Sequence, residues 1–138
     1  MGIVGTIPAL LWVLLAYLGV IYLGDGAQTL NRELFSFLLV SGAPVYITVN
    51  GLLVLVGLVM LFFEVLKATR ISNITVVDHM LSTFVFIGYL LAFLLIPAAG
   101  NQFFLMLVVM SLIDVMAGFS VSITGARRDI GLNEKSLG

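Results

Sequence analysis

The chain has 138 residues and a net charge of −1; 62% of the residues are hydrophobic and only 9% are charged. Soluble domains carry about a quarter of their residues as charged side chains, so this composition excludes an ordinary soluble protein and predicts an integral membrane protein. The absence of cysteine excludes disulfides, thiol catalysis, iron–sulfur clusters and cysteine-bound zinc within the chain, and the lack of a basic patch excludes nucleic acid as a partner.

The first predicted membrane span covers residues 7–23. Pro8 fits in its first turn, where a missing N–H costs nothing. The length is at the short end of the range of about 17–25 residues that cross a hydrocarbon core about 30 Å thick. The segment has no ionisable group, so we predict that it contributes packing rather than chemistry.

Residues 31–40 are apolar after Arg32 and Glu33 but too few to span a membrane. Ser41, Gly42 and Pro44 interrupt any continuation into the next apolar run. We therefore predict a short interfacial helix over residues 31–40. The alternative is an extension of the second span, kinked at residues 42–44.

Three more spans follow, at about residues 45–66, 76–97 and 103–124. The connection between the last two is short and uncharged, which makes these spans neighbours running in opposite directions. Residues 125–138 form a polar C-terminal tail without apolar periodicity. The predicted fold is all-α: one transmembrane domain (residues 1–138) of four helices in an antiparallel bundle, with the interfacial helix between spans 1 and 2.

Basic residues are distributed unevenly between the two ends of these spans. With four spans, one side carries Lys67, Arg70, Arg127, Arg128 and Lys135, and the other carries Arg32 alone. Cytoplasmic segments are enriched in Lys and Arg, so both termini are expected in the cytoplasm. The expected location is a bacterial inner membrane.

Asp114 lies near the middle of the fourth predicted span. An ionisable side chain in hydrocarbon is costly and is a functional-site hypothesis by default. Ser111, Asp114, Gly118 and Ser122 follow at steps of three or four residues and so share one helix face. Small and polar residues on one face favour packing against protein. On the second span Gly57 shares a face with Asn50 and Glu64, and we predict a packing role for it too.

Depth estimates from helix rise predict a polar line that climbs from the cytoplasmic side to mid-membrane. Its members, in order of depth, are Glu64 and His79, then Ser82, Asp114 and Tyr89. Asp114 is expected to hydrogen-bond to Ser82 or Tyr89. Three interpretations stay open: a proton or ion path (or a pocket open to one side), hydrogen bonds that merely join helices, and a contact with another subunit.

The sequence contains no complete catalytic set, so we predict no enzyme activity, no cofactor and no metal. One histidine excludes the usual two-histidine haem within a chain, although not a haem shared between copies. A quinone headgroup at His79 stays open. The expected partners are the lipid bilayer and other membrane subunits or copies of the chain. The preferred function is an accessory or scaffold subunit of a larger membrane complex; the alternative is a homo-oligomeric transporter or channel that uses Asp114.

Overall fold

The computed structural model describes residues 7–69 and 75–137, with the backbone alone at 75, 121–130 and 132–137. The chain is mostly helical. In chain order the elements are α1 (Ala9–Leu23), α2 (Ala27–Leu30), β1 (Glu33–Leu38), β2 (Pro44–Thr48), α3 (Val49–Ala68), α4 (Thr75–Leu95), a 3-10 turn (Pro97–Ala99) and α5 (Gln102–Leu137).

Three helices are long and apolar enough to cross a membrane: Val49–Ala68, Val76–Leu95 and Gln102–Ser120. The first helix, α1, is apolar but shorter, with 15 residues and a length of about 22 Å. These lengths and compositions identify a membrane-embedded protein. They confirm three of the predicted spans as candidates, whereas residues 7–23 yield a helix below that length.

The core lies where α5 packs against both α3 and α4, with α1 covering α3 and, more lightly, α4. Phe104 and Leu107 of α5 are fully buried at its centre. The Phe104 ring meets two tyrosine rings, that of Tyr17 at a centroid distance of 4.8 Å and that of Tyr89 at 5.6 Å. Aromatic contacts thus join α1, α4 and α5 around one side chain.

Gly57 of α3 faces buried side chains of α5 at close range. A Cβ atom at this position would lie 2.6 Å from Cδ2 of Leu107 and 3.5 Å from the Met110 sulfur. Real Cβ atoms do not come that close to a neighbour. Glycine is therefore the residue that lets these two helices pack at this distance.

The prediction of an interfacial helix over residues 31–40 is wrong. Residues Glu33–Leu38 form a strand that pairs with Pro44–Thr48 in an antiparallel hairpin. The physical reason is the composition of both segments, which are rich in aromatic and β-branched side chains that favour strands. A short, continuous apolar run gives no periodicity that separates helix from strand.

The hairpin turn depends on Gly42. The Leu39 carbonyl accepts from the Gly42 amide at 2.8 Å, and the Ala43 carbonyl accepts from the Leu39 amide at 2.9 Å. Gly42 has φ +85°, in the left-handed region that other residues rarely adopt. This is the common three-residue hairpin loop, a turn closed by a glycine of positive φ.

The last helix continues beyond its predicted end. Span four was expected to end at residue 124, followed by a polar tail, whereas α5 runs on to Leu137. Residues 125–137 contain no proline that would end the helix. Because the preceding residues are already helical, extending the helix requires no new nucleation. The loss of apolar residues after residue 124 therefore did not indicate where the helix ends.

Candidate functional site: two polar clusters in an apolar bundle

Asp114 lies in a cluster of charged side chains at one end of the bundle. It is only 5% exposed. Its carboxyl group lies beside the Ser82 hydroxyl of α4, its hydrogen-bonding neighbour. Glu64, Lys67 and Asp78 are close enough to interact with it electrostatically. We call Glu64, Lys67, Asp78, Ser82 and Asp114 the acidic cluster.

Lys67 supplies the positive charge within the acidic cluster. Its Nζ atom lies 3.9 Å from Glu64 Oε1 and 3.9 Å from Asp78 Oδ2, and so it bridges α3 and α4. The cluster thus combines three carboxyl groups with one ammonium group. Such a set can bind a proton, and it can equally hold helices together through ion pairing.

Glu64 has a second role, at the start of α1. Its Oε1 atom accepts a hydrogen bond from the Ala9 backbone amide at 2.8 Å. Ala9 is the first residue of α1, where amide groups lack partners within the helix. A carboxylate there satisfies one of these donors and interacts favourably with the helix dipole. Glu64 therefore fixes the beginning of α1 to the end of α3.

His79 contacts α5 through its imidazole ring. Its ring packs edge-on against Phe119, with centroids 3.8 Å apart. A Cβ atom at Gly118 would lie 2.7 Å from His79 Nδ1, so the glycine makes room for the imidazole. Within the described part of the chain, neither ring nitrogen has a hydrogen-bond partner. His79, a residue of α4, thus packs against Gly118 and Phe119 of α5.

Tyr89 does not reach Asp114. Its hydroxyl donates to the Leu10 carbonyl at 2.6 Å and so joins α4 to α1. Two hydrogen-bond partners were predicted for Asp114. Ser82 lies beside it, whereas Tyr89 bonds to Leu10 instead. The reason is the position of α1, whose first turn lies between α3 and α4 and presents a carbonyl to the tyrosine.

Two serines, Ser111 and Ser122, share the predicted polar face of α5 with Asp114. Ser111 is buried, and its hydroxyl donates to Val108 of its own helix at 2.7 Å rather than to a neighbouring helix. Such bonding to the preceding turn satisfies the hydroxyl locally. Ser122 lies outside the described side chains, in the part of α5 where only the backbone is given.

A second polar cluster lies at the opposite end of the bundle, around Tyr17. The Tyr17 hydroxyl donates to Asn50 Oδ1 at 2.6 Å and accepts from Asn101 Nδ2 at 2.9 Å. Asn50 Nδ2 in turn donates to Asn31 Oδ1 at 3.2 Å. We call Tyr17, Asn31, Asn50 and Asn101 the amide cluster. It joins α1, α3 and the segments that precede β1 and α5.

The amide cluster was not predicted from the sequence. Asn101 Oδ1 also accepts a hydrogen bond from the Phe104 backbone amide at 2.9 Å, so Asn101 caps the N-terminus of α5. Tyr17 and Asn50 are almost fully buried, at 0% and 2% exposure. The available signal was two uncharged polar residues inside apolar spans, Tyr17 and Asn50, since buried polar groups are nearly always hydrogen-bonded.

An apolar layer separates the two clusters. Leu10, Phe104 and Leu107 are fully buried between them, and Val13 and Leu14 are nearly so. The predicted polar line therefore ends at Asp114. Within the described residues, the interior of one chain shows no continuous polar route from one end to the other.

A cleft of about 270 Å³ opens on the side of the bundle between α1 and α4. It is lined by apolar side chains and a glycine: Ile7, Pro8, Leu11, Leu14, Leu81, Phe84, Val85 and Gly88. His79 does not line it, so the cleft gives no support to a quinone headgroup at that residue. Among the described residues, no group of three or more His, Asp or Glu side chains is arranged to hold a metal ion.

Comparison with known proteins assigns no family to the chain: no family model, no curated protein and no solved structure matches it. The fold and the two clusters define a small, helical, membrane-embedded protein with a projecting hairpin and a long last helix.

Proposed function

We propose that this chain is an accessory or scaffold subunit of a larger membrane complex, in which the end of α5 binds another polypeptide. The observation that carries the proposal is the length of α5. It has 36 residues, and the span predicted from hydropathy ends at residue 124, which leaves residues 125–137 of the helix beyond it. At 1.5 Å per residue the extension is about 20 Å long.

A helix of this length is marginally stable by itself in water. The extension contains Gly125 and Gly131, each of which costs about 1 kcal/mol relative to alanine in a helix. It also carries charges of both signs, at Arg127, Arg128, Asp129, Glu134 and Lys135. Packing against a partner supplies the stability that the isolated extension lacks.

The proposal includes a topology. Four membrane-crossing helices in an antiparallel bundle, with α1 as a short first span, would place both termini on the side of Lys67. The contact of Ala9 with Glu64 and that of Tyr17 with Asn50 support opposite directions for α1 and α3. By the charge asymmetry that side is the cytoplasm of a bacterial cell, and α5 would extend into it.

The test compares affinity-tagged chains expressed in native membranes and purified gently in detergent. Ile130 lies within the extension, so Ile130→Pro breaks the helix, whereas the matched control Ile130→Ala preserves it. We expect the full chain and Ile130→Ala to retain a second polypeptide, and Ile130→Pro and a chain ending at residue 124 to lose it. Equal recovery with all four chains, or none with the full chain, would contradict the proposal.

The second candidate function is proton or cation transport by a homo-oligomer. It is favoured by the three carboxyl groups of the acidic cluster around Lys67. Because an apolar layer closes the interior of one chain, a route would have to run between copies. In proteoliposomes Asp114→Asn should abolish flux while Ser111→Ala leaves it intact. If the parent chain shows no flux, or if Asp114→Asn leaves the flux unchanged, the transport function is excluded.

A further inference from the structure

The hairpin of β1 and β2 exposes an unusually large apolar surface. At least seven large side chains are about half exposed or more: Leu34, Phe35, Phe37, Leu38, Leu39, Val40 and Tyr46. At on the order of 100 Å² each they amount to about 700 Å², more than the largest apolar patch of a typical soluble monomer. An apolar environment must cover this surface.

We propose that the hairpin is embedded in lipid at the membrane interface next to the N-terminal end of α3. The first argument is that both of its faces are predominantly apolar. One face carries the pairs Phe35–Ile47 and Phe37–Val45; the other carries Leu38–Pro44 and Ser36–Tyr46, in which Ser36 is the one short polar side chain. A hairpin that docks on a protein covers one face and presents polar side chains to water on the other. Lipid meets both faces and the tip.

The second argument is the placement of charge. The hairpin has no charged residue from Leu34 to Ile47, whereas Arg32 and Glu33 stand at its base. The side chain at the tip, Val40, is fully exposed. Charged residues at the base and aliphatic ones at the tip are the distribution expected of an element that enters lipid from an aqueous boundary.

The third argument is continuity with the lipid-facing surface of α3. Strand β2 ends at Thr48 and α3 begins at Val49, without a linker. Helix α3 has 20 residues and a length of about 30 Å, the thickness of the hydrocarbon core. The base of the hairpin therefore lies at the membrane boundary, and its apolar surface continues into exposed side chains of α3 such as Leu52 and Leu55.

The backbone limits how deeply the hairpin can enter. A two-stranded sheet leaves the N–H and C=O groups of both outer edges without strand partners, and such groups are not tolerated in the hydrocarbon core. The hairpin must then lie along the interface, with side chains reaching about 5–10 Å into the acyl region. Tyr46 is of the residue type enriched at that level. The position predicted from the sequence for residues 31–40 is thus kept, with strands in place of a helix.

The chain has no cysteine, so a single introduced cysteine carries a spin label at one defined site. Val40→Cys and Leu38→Cys are suitable because both side chains are largely exposed and make few contacts to lose. The full chain is reconstituted in phosphatidylcholine–phosphatidylglycerol vesicles, and collisions of the label with oxygen and with a water-soluble nickel complex are measured. Leu58→Cys on the exposed face of α3 is the lipid control, and Asp25→Cys in an exposed turn is the aqueous control.

We expect the oxygen-to-nickel collision ratio at residues 38 and 40 to exceed that at residue 25 several-fold and to stay below that at residue 58, which lies at the midpoint of α3. A ratio like that of residue 25 would show that the hairpin extends into water and would overturn the proposal. Low collision rates with both reagents would show that protein, such as a second copy, covers the hairpin, and would overturn it as well. Neither result depends on whether α5 binds a partner.

Discussion

Glu64 accepts a hydrogen bond from the backbone amide of Ala9 at 2.8 Å, although 55 positions separate the two residues in the chain. This contact joins the last turn of α3 to the first residue of α1. It gives a structural reason for a carboxyl group that the sequence suggested as part of a proton path.

Replacing Glu64 should loosen the start of α1. In Glu64→Ala the Ala9 amide loses its acceptor and the helix dipole loses its counter-charge, at a cost of about 1–2 kcal/mol. Amide hydrogen exchange in the first turn of α1 should then accelerate about 5- to 30-fold, since 1.4 kcal/mol corresponds to a factor of ten. Glu64→Gln keeps an oxygen acceptor and should have a smaller effect. Unchanged exchange in Glu64→Ala would show that the contact does not hold α1 in place.

The amide cluster should contribute measurably to stability through Tyr17. Tyr17→Phe removes a donor from Asn50 and an acceptor from Asn101, and leaves both amides buried without that partner. We expect a loss of about 1–3 kcal/mol in the free energy of unfolding, measured by denaturation in detergent micelles. The matched control Tyr22→Phe changes a tyrosine that is 69% exposed and should leave stability within about 0.5 kcal/mol. If the two variants have the same free energy of unfolding, the amide cluster does not stabilise the protein.

The close approach of α3 to α5 should make Gly57 intolerant of a methyl group. Gly57→Ala places a Cβ atom 2.6 Å from Leu107 Cδ2, and Leu107 is fully buried. Overpacking of this kind costs about 1–3 kcal/mol. The control is Gly19→Ala, at a helical position where the added methyl meets nothing within 4 Å, and it should be neutral or stabilising.

A double substitution separates overpacking from other effects at Gly57. Leu107→Ala removes the atom that the new Cβ would meet. Gly57→Ala should therefore cost much less in the Leu107→Ala background than in the parent chain, a coupling of about 1 kcal/mol or more. An identical cost in both backgrounds would show that the helices do not meet at these two residues.

The hairpin turn gives a prediction about backbone strain. Gly42 has φ +85°, so Gly42→Ala should destabilise the turn by about 1–2 kcal/mol, whereas Gly42→Asn should cost less because asparagine tolerates this region better. The readout is hydrogen exchange of the Leu39 amide, which donates to Ala43 across the turn. Exchange should be fastest in the alanine variant and intermediate in the asparagine variant. Equal rates in these two variants would contradict the assigned turn.

The sequence was sufficient for the parts of the fold that depend on hydrophobic length. The spans at 45–66, 76–97 and 103–124 correspond to α3, α4 and α5, except that residues 45–48 belong to β2, because about 20 predominantly apolar residues have few alternatives to a helix across a membrane. The same reasoning misassigned residues 31–40. A short apolar run can be a helix or a strand, and the pairing that decides lies in residues 44–48.

The sequence anticipated only part of the candidate site: the acidic cluster contains Asp114, Ser82 and Glu64, whereas Tyr89 contacts Leu10 and His79 contacts Phe119. Asp114 and Ser82 lie together as expected from depth along neighbouring helices. Tyr89 and Glu64 are both held by α1, at Leu10 and Ala9, because that helix packs against α3 and α4 at a position that periodicity cannot fix. Asn31 and Asn101 lie in connecting segments, where one sequence gives no sign of which side chains meet across the bundle.

The measurement that tests the central claim most directly is the mass and composition of the particle released from native membranes by a mild detergent. The claim that the chain is a subunit of a larger complex predicts a particle that contains at least one other polypeptide, with a mass well above that of a few copies of a 14.9 kDa chain. A particle of one to a few copies of this chain, with no other polypeptide, would contradict the claim.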